Sequence, residues 1–133
     1  MADDPVAVVR GAYEAFGRGD VPAVLAAIDP EVVWVESEAT AIPTRGTHRG
    51  PDAVAEKVFG AVPANFASFE IVPEDFFRDG DTVIVRGVVR ATAKTSGKTM
   101  NAPFVHVFTI KGGKVTKLTN HHDTAVWVET LAP

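Results

Sequence analysis

Apolar residues in the first third of the chain recur at helical spacing. Val6, Val9, Tyr13 and Phe16 form one stripe, and Val21, Val24, Leu25 and Ile28 form a second. Asp3 or Asp4 supplies a cap ahead of Pro5, and Gly17 and Gly19 end the first segment. Asp20 caps the second, with Pro22 in its first turn, and Asp29-Pro30 stops it. The pattern predicts a helical hairpin. Val32 to Glu36 then reads as a short strand, with Val33 and Val35 opposite Val32, Trp34 and Glu36. Ser37 to Gly50 has no period, so it is a loop of the length at which loops tend to carry function. A third helix opens at Pro51-Asp52, packs through Val54, Val58 and Phe59, and breaks between Gly60 and Asn65.

From Phe66 onward the period changes to that of strands. Phe66 to Arg78 is a strand interrupted at Pro73, which predicts an edge or a bulge. Asp79-Gly80-Asp81 turns the chain into a strand over Thr82 to Thr95, and Ser96-Gly97 turns it again. Pro103 to Asp123 is the clearest hairpin, because Gly112-Gly113 supplies the positive φ angles of a tight turn. On its first arm Phe104, His106, Phe108 and Ile110 share one face, and Val105, Val107 and Thr109 share the other. On its second arm Val115, Lys117, Thr119, His121 and Asp123 oppose Thr116, Leu118, Asn120, His122 and Thr124. Four long sequential strands with short turns imply an antiparallel meander, and Ala125 to Leu131 adds a short helix or tail.

Composition narrows the function classes. A chain of 133 residues, 46% hydrophobic and 23% charged, fits a single globular domain over 1–133. The formal charge of −4, with no cluster of Lys and Arg, argues against a nucleic-acid partner. Without cysteine there is no disulfide framework, thiolate nucleophile or zinc knuckle. No run is long enough to span a bilayer as a helix, and the opening MADDPVAVV lacks a signal-peptide pattern, so no membrane partner and a cytoplasmic location are expected.

The order of helix, helix, short strand, helix and curved antiparallel sheet is an α+β arrangement with a pocket at its open end. The words AYEAFGRGD at 12–20, DPEVVWVE at 29–36, RGPDAV at 49–54 and APFVHVFTIKGGKVTKLTNHHD at 102–123 carry a resemblance. Over nearly its whole length the chain resembles the nuclear transport factor 2 superfamily, in its SnoaL-like and ketosteroid-isomerase-like branch. The resemblance implies a cone-shaped curved antiparallel sheet with three N-terminal helices on its concave face, a cystatin-like α+β roll. It identifies fold more specifically than reaction, since such folds host isomerases, cyclases, hydrolases, dehydratases and binding proteins.

In a ketosteroid isomerase a carboxylate base ends the first strand, and a Tyr and a protonated Asp stabilise the enolate, which is a standard worked example of pKa tuning. Glu36 falls where that base belongs. The oxyanion Tyr falls at Ala12, next to Tyr13, and the oxyanion Asp at Val105, so classical steroid isomerisation is not expected. In limonene-epoxide-hydrolase-like relatives a catalytic Asp falls near Asn120, and an amide is not a general base. The resemblance further implies that Val105, Val107, Leu118, Asn120 and His122 look into the pocket while His106 and His121 point away.

The candidate site residues are therefore Glu36 as base, His122 as acid or second base, and Asn120 and Tyr13 as orienting donors. Trp34, Val105, Val107 and Leu118 are the candidate pocket walls. Each has a plainer alternative: an exposed strand-end Glu, a hydrogen-bonded wall His, an Asn satisfying backbone, and a core Tyr beside Val9 and Phe16. His121-His122-Asp123 offers only His121 and Asp123 as same-side ligands, so no metal and no cofactor are expected. His48, in the loop before the third helix, either reaches the pocket mouth or, the preferred reading, is a solvated loop residue, and Arg86 and Arg90 hold either an anionic ligand or an acidic partner residue. Two function classes follow. One is cofactor-independent proton transfer, as in an isomerase or polyketide-cyclase-like enzyme, on a small hydrophobic carbonyl compound. The other is a noncatalytic ligand-binding or dimerisation module. Phe104, His106, Phe108 and Ile110 are expected on the outer face of the sheet, with His106 an interface residue, and that face is too apolar for water, so a homodimer is expected to cover it.

Overall fold

The computed structural model describes residues 4–133. Asp3, one of the two expected helix caps, lies outside the described residues. Helix α1 (Pro5–Gly17) is capped by Asp4, whose side chain accepts from the Val6 N–H at 3.0 Å. Helix α2 (Val21–Ala26) is capped by Asp20 in the same manner. It stops two residues short of Ile28, which begins strand β1 (Ile28–Val35) and pairs with Val115. Ile28 is thus a buried strand residue, and its helical spacing with Val24 is coincidental.

Strand β2 (Thr47–Arg49) lies inside the segment Ser37 to Gly50 expected to be all loop, and it pairs with β1, placing His48 opposite Trp34. The third helical segment is compound: α3 (Pro51–Val54), a π-helical turn over Ala55–Phe59, and α4 (Ala61–Asn65). Val54 and Val58 pack inward as expected. Four long strands form the meander: β3 (Phe66–Asp79), β4 (Thr82–Ala93), β5 (Thr99–Lys111) and β6 (Lys114–His122). Helix α5 (Thr124–Leu131) closes the chain behind an Asp123 cap. No helix among the described residues is long and apolar enough to cross a membrane.

The six strands form one curved, unclosed sheet in the order β2-β1-β6-β5-β4-β3. Two local expectations hold in detail. The register shifts between Pro73 and Asp75 on the edge strand β3, and Gly112 and Gly113 have φ of 58° and 74° at the β5–β6 turn. Gly87 has a different role. It faces Phe104 across the β4–β5 pair, and a Cβ there would lie 2.8 Å from the Phe104 ring and 2.3 Å from the Val72 carbonyl oxygen. Only a residue without a side chain lets the phenyl ring lie against the sheet here.

The sheet departs from the expected antiparallel form at one pair, β1 with β6, which is parallel. Because β1 and β6 run the same way, their C-terminal ends lie together. Val35 is opposite Thr119, which makes Glu36 and Asn120 neighbours. The parallel pair is what builds the site.

Register also corrects the expected faces of the hairpin. Leu118 pairs with Phe108, Asn120 with His106, and His122 with Phe104, so all six share the concave face. Phe104, His106, Phe108 and Ile110 are each 8% exposed or less. Val105 and Val107 are therefore not pocket walls; they lie on the convex face in rows with Arg86 and Ile84. A shift between Thr109 and Ile110 bulges β6 at Thr116, which returns Val115 to the buried side. The face expected to demand a homodimer is the core of this chain, so that argument for a partner falls away. The physical reason is volume: both faces of β5 are apolar, but the phenylalanines remove more apolar surface from water than the valines.

Candidate functional site

Glu36 leaves the end of β1 and turns into the concave face, where it is 5% exposed. Three side chains donate to its carboxylate. Trp34 Nε1 donates to Oε2 at 2.7 Å, while Thr44 Oγ1 at 3.1 Å and Asn120 Nδ2 at 3.0 Å donate to Oε1. Burial pushes the Glu36 pKa up, and this outweighs the three donors and the nearby His48, all of which favour the anion. No lysine or arginine forms an ion pair with it in the described residues.

The loop that looked featureless in sequence supplies the cover. Its ends are fastened by Glu36 N–H to the Gly46 carbonyl and Gly46 N–H to the Ser37 carbonyl, both at 2.9 Å. Ile42 is fully buried and Thr44 is 4% exposed, so the loop is seated by packing as well as by hydrogen bonds. His48 is buried rather than solvated, and its Nε2–H donates to the Thr44 carbonyl at 2.8 Å. It thereby fixes the residue whose hydroxyl reaches Glu36.

Glu36 and His122 line one cavity of about 60 Å³. Trp34, Thr44, Phe59, His106, Asn120 and Trp127 also contribute to its wall. His122 packs edge-to-face on Trp127, with ring centroids 4.6 Å apart, and neither of its ring nitrogens has a partner among the described residues. Burial lowers its pKa to about 4, so it is neutral at pH 7. Asn120 Oδ1 and Trp127 Nε1 are likewise buried without a partner. Unpaired buried groups of this kind are costly and mark places where something else is bound or where a role requires them.

A second apolar space of about 60 Å³ adjoins the first, lined by Ala12, Tyr13, Val24, Phe108 and Leu118. The two spaces share Phe16, Trp34, Phe59, Ile71 and His106 as walls. Here two polar groups pair: the Tyr13 hydroxyl and His106 Nδ1 are 2.7 Å apart. Burial raises the Tyr13 pKa and depresses that of His106 to about 3, so both are neutral. Asn120 lies near enough to His106 to offset part of that depression, although its Oδ1 makes no hydrogen bond of proper geometry.

The structure thus brings Glu36, His122, Asn120 and Trp34 around one cavity and places Tyr13 and Leu118 on its neighbour. Arg86 pairs with Asp75 across the exposed convex face, and Arg90 sits opposite Glu70 there, both remote from the cavities. Thr44, His48, His106 and Trp127 were not found as site residues from sequence. For the first two the only signal was loop length. For Trp127 it was an apolar residue in a tail.

The sequence pattern of the SnoaL-like domain matches residues 9–118. The chain belongs to the SnoaL-like domain family. Among solved structures, its fold is similar to a nuclear transport factor 2-like protein of unknown function from Burkholderia pseudomallei, at 32% identity and a TM-score of 0.90, over 97% of this chain and 98% of that one. It is also similar to TerC, crystallised with polyporic acid, at 26% identity and a TM-score of 0.87, over 96% and 97% of the two chains. An uncharacterised protein of Mycobacterium tuberculosis is 26% identical over 92% of each chain. The SnoaL-like match ends before Asn120, His122 and Trp127, so membership by itself assigns these three no role.

Proposed function

We propose that this SnoaL-like domain binds a small apolar carbonyl compound in the Glu36 cavity and moves a proton on it without a cofactor, as isomerases and cyclases do. The observation that carries this reading is a carboxylate 5% exposed, among aromatic walls, with no ion-pair partner and a raised pKa. Such a group becomes a stronger base as water is withdrawn from it. Among the described residues Oε2 accepts only from Trp34, which leaves it a lone pair for a substrate C–H. His122, neutral and without a partner, is the second proton-transfer group, and Asn120 orients the base. That a structural relative was crystallised with polyporic acid supports a small organic ligand for this fold. Deuterium uptake α to the carbonyl of aryl ketones and enones tests the reading. Wild type should accelerate uptake and Glu36→Gln should not, and equal rates in the two would overturn it.

One observation favours a binding module instead. Three donors already occupy Glu36, and the positions that hold oxyanion donors in ketosteroid isomerases carry Ala12 and Val105, the latter on the far face of the sheet. Tight ligand binding with no proton exchange in wild type would select that alternative.

A further inference from the structure

The two spaces inside the cone differ in chemistry while sharing a wall. The Glu36 space presents a carboxylate and several polar atoms without partners, and so accommodates an oxygenated group. In the Tyr13 space the only polar side chains are Tyr13, His106 and Trp34. Tyr13 and His106 hydrogen-bond to one another, and the Trp34 N–H is committed to Glu36. The rest of this wall is apolar, so the space accommodates an apolar group. At about 60 Å³ apiece, each is far below the roughly 300–1,000 Å³ of typical ligand sites. An occupant of ordinary size must therefore extend from one into the other. The shared wall includes Phe16 and Phe59, 5.9 Å apart and neither fully buried, which are the rings that would have to part.

We propose that the two spaces are subsites for one elongated ligand: a cyclic carbonyl head against Glu36 and His122, and an aryl tail between Ala12, Val24, Phe108 and Leu118. This rests on the proposed function for the identity of the head and adds the tail, which fixes the substrate class as aryl-substituted cyclic enones or ketones rather than small ketones. Tyr13 then sits in the tail subsite and His106 at the junction, hydrogen-bonded to each other. Ala12 of α1 is the smallest residue of the tail subsite's wall, so a larger side chain there would fill it.

The test compares cyclohex-2-enone with 5-phenylcyclohex-2-enone by calorimetry, in wild type and in Ala12→Leu, which fills the tail subsite while keeping a good helix former. In wild type the phenyl compound should bind at least about tenfold tighter. In the variant that ratio should fall to about one. A preserved ratio in folded Ala12→Leu overturns the proposal. Should the variant fail to fold, wild-type NMR decides: the Ala12 and Leu118 methyl signals must shift with the phenyl compound and not with cyclohexenone, and their indifference to both overturns it. Failure to bind either compound also overturns it. The underlying reading fails separately, if the phenyl compound occupies both subsites but Glu36→Gln leaves α-proton exchange unchanged.

Discussion

The two faces of strand β5 are both largely apolar in sequence, yet together with β6 they carry opposite tasks. The concave face holds Phe104, His106, Phe108, Leu118, Asn120 and His122, and its polar groups either bond to one another or remain unpaired beside a cavity. The convex face holds Val105, Val107, Thr119 and His121, all open to water to some degree. The difference shows that hydrophobicity does not mark the functional side of a strand pair; buried polar groups do, because water cannot satisfy them there. Substitutions on the concave side should therefore be felt strongly and those on the convex side weakly.

The largest expected effect is at Glu36. If it is the base, Glu36→Gln should lower α-proton exchange by roughly 10²- to 10⁴-fold, the usual contribution of a positioned general base. Its raised pKa also gives a signed pH effect on folding. The contribution is fully present below the ordinary carboxyl range near 4.5 and is lost as pH rises through the folded pKa, because the charged form is disfavoured by burial. Glu36→Gln should remove that decline, measured by denaturant unfolding from pH 4 to 8.

Much of the fold was legible, and the site only in part. The Gly112-Gly113 turn, the Pro73 irregularity and the Asp4 and Asp20 caps are local chemistry, which a sequence displays directly. The placement of Glu36, His122 and Trp34 around one cavity followed from the family resemblance. The face of β5 was not legible, since valine and phenylalanine both suit a strand interior and only the cross-strand register decides. Nor was the direction of β1 relative to β6, which is set by a connection spanning most of the chain. Thr44 and His48 lay in a segment without period, where packing of Ile42 fixes the loop and leaves no repeating signal.

His106 tests the concave side at the next magnitude. Replacing it by Leu leaves the Tyr13 hydroxyl buried without its partner, at a cost of roughly 1–3 kcal/mol at pH 7. The pH sign is opposite to that at Glu36. With a folded pKa of about 3, His106 contributes stability that is present above the ordinary range near 6.5 and lost as pH falls toward 3. The deficit of His106→Leu should therefore shrink between pH 7 and pH 4. A deficit that grew on acidification would mean that His106 is charged in the folded protein.

Thr44→Val probes the cover at nearly constant volume. It removes one donor to Glu36 and should cost about 1 kcal/mol of stability. The same change should move the midpoint of any Glu36-dependent ligand binding to higher pH, because a donor that favours the anion is gone. A downward move would show that Thr44 accepts from a protonated Glu36 rather than donating to the carboxylate.

The smallest effect is expected on the convex face. Phe77, Ile84, Val107, Thr119 and Val35 form one cross-strand row there, with Phe77 56% and Ile84 37% exposed. The row beside it carries Asp75, Arg86, Val105 and His121, so the apolar stripe is narrow and bordered by charge. A stripe of that width is tolerated by a monomer, and Ile84→Lys should change stability by no more than about 0.5 kcal/mol. The same variant addresses the homodimer once the concave residues are removed from that argument. If a second copy covers this row, a lysine at position 84 would lose its hydration against an apolar partner. Sedimentation at micromolar concentration would then show dimer in wild type and monomer in the variant. Identical sedimentation of the two proteins, with unchanged melting, would mean that no second copy covers this row and that it faces water.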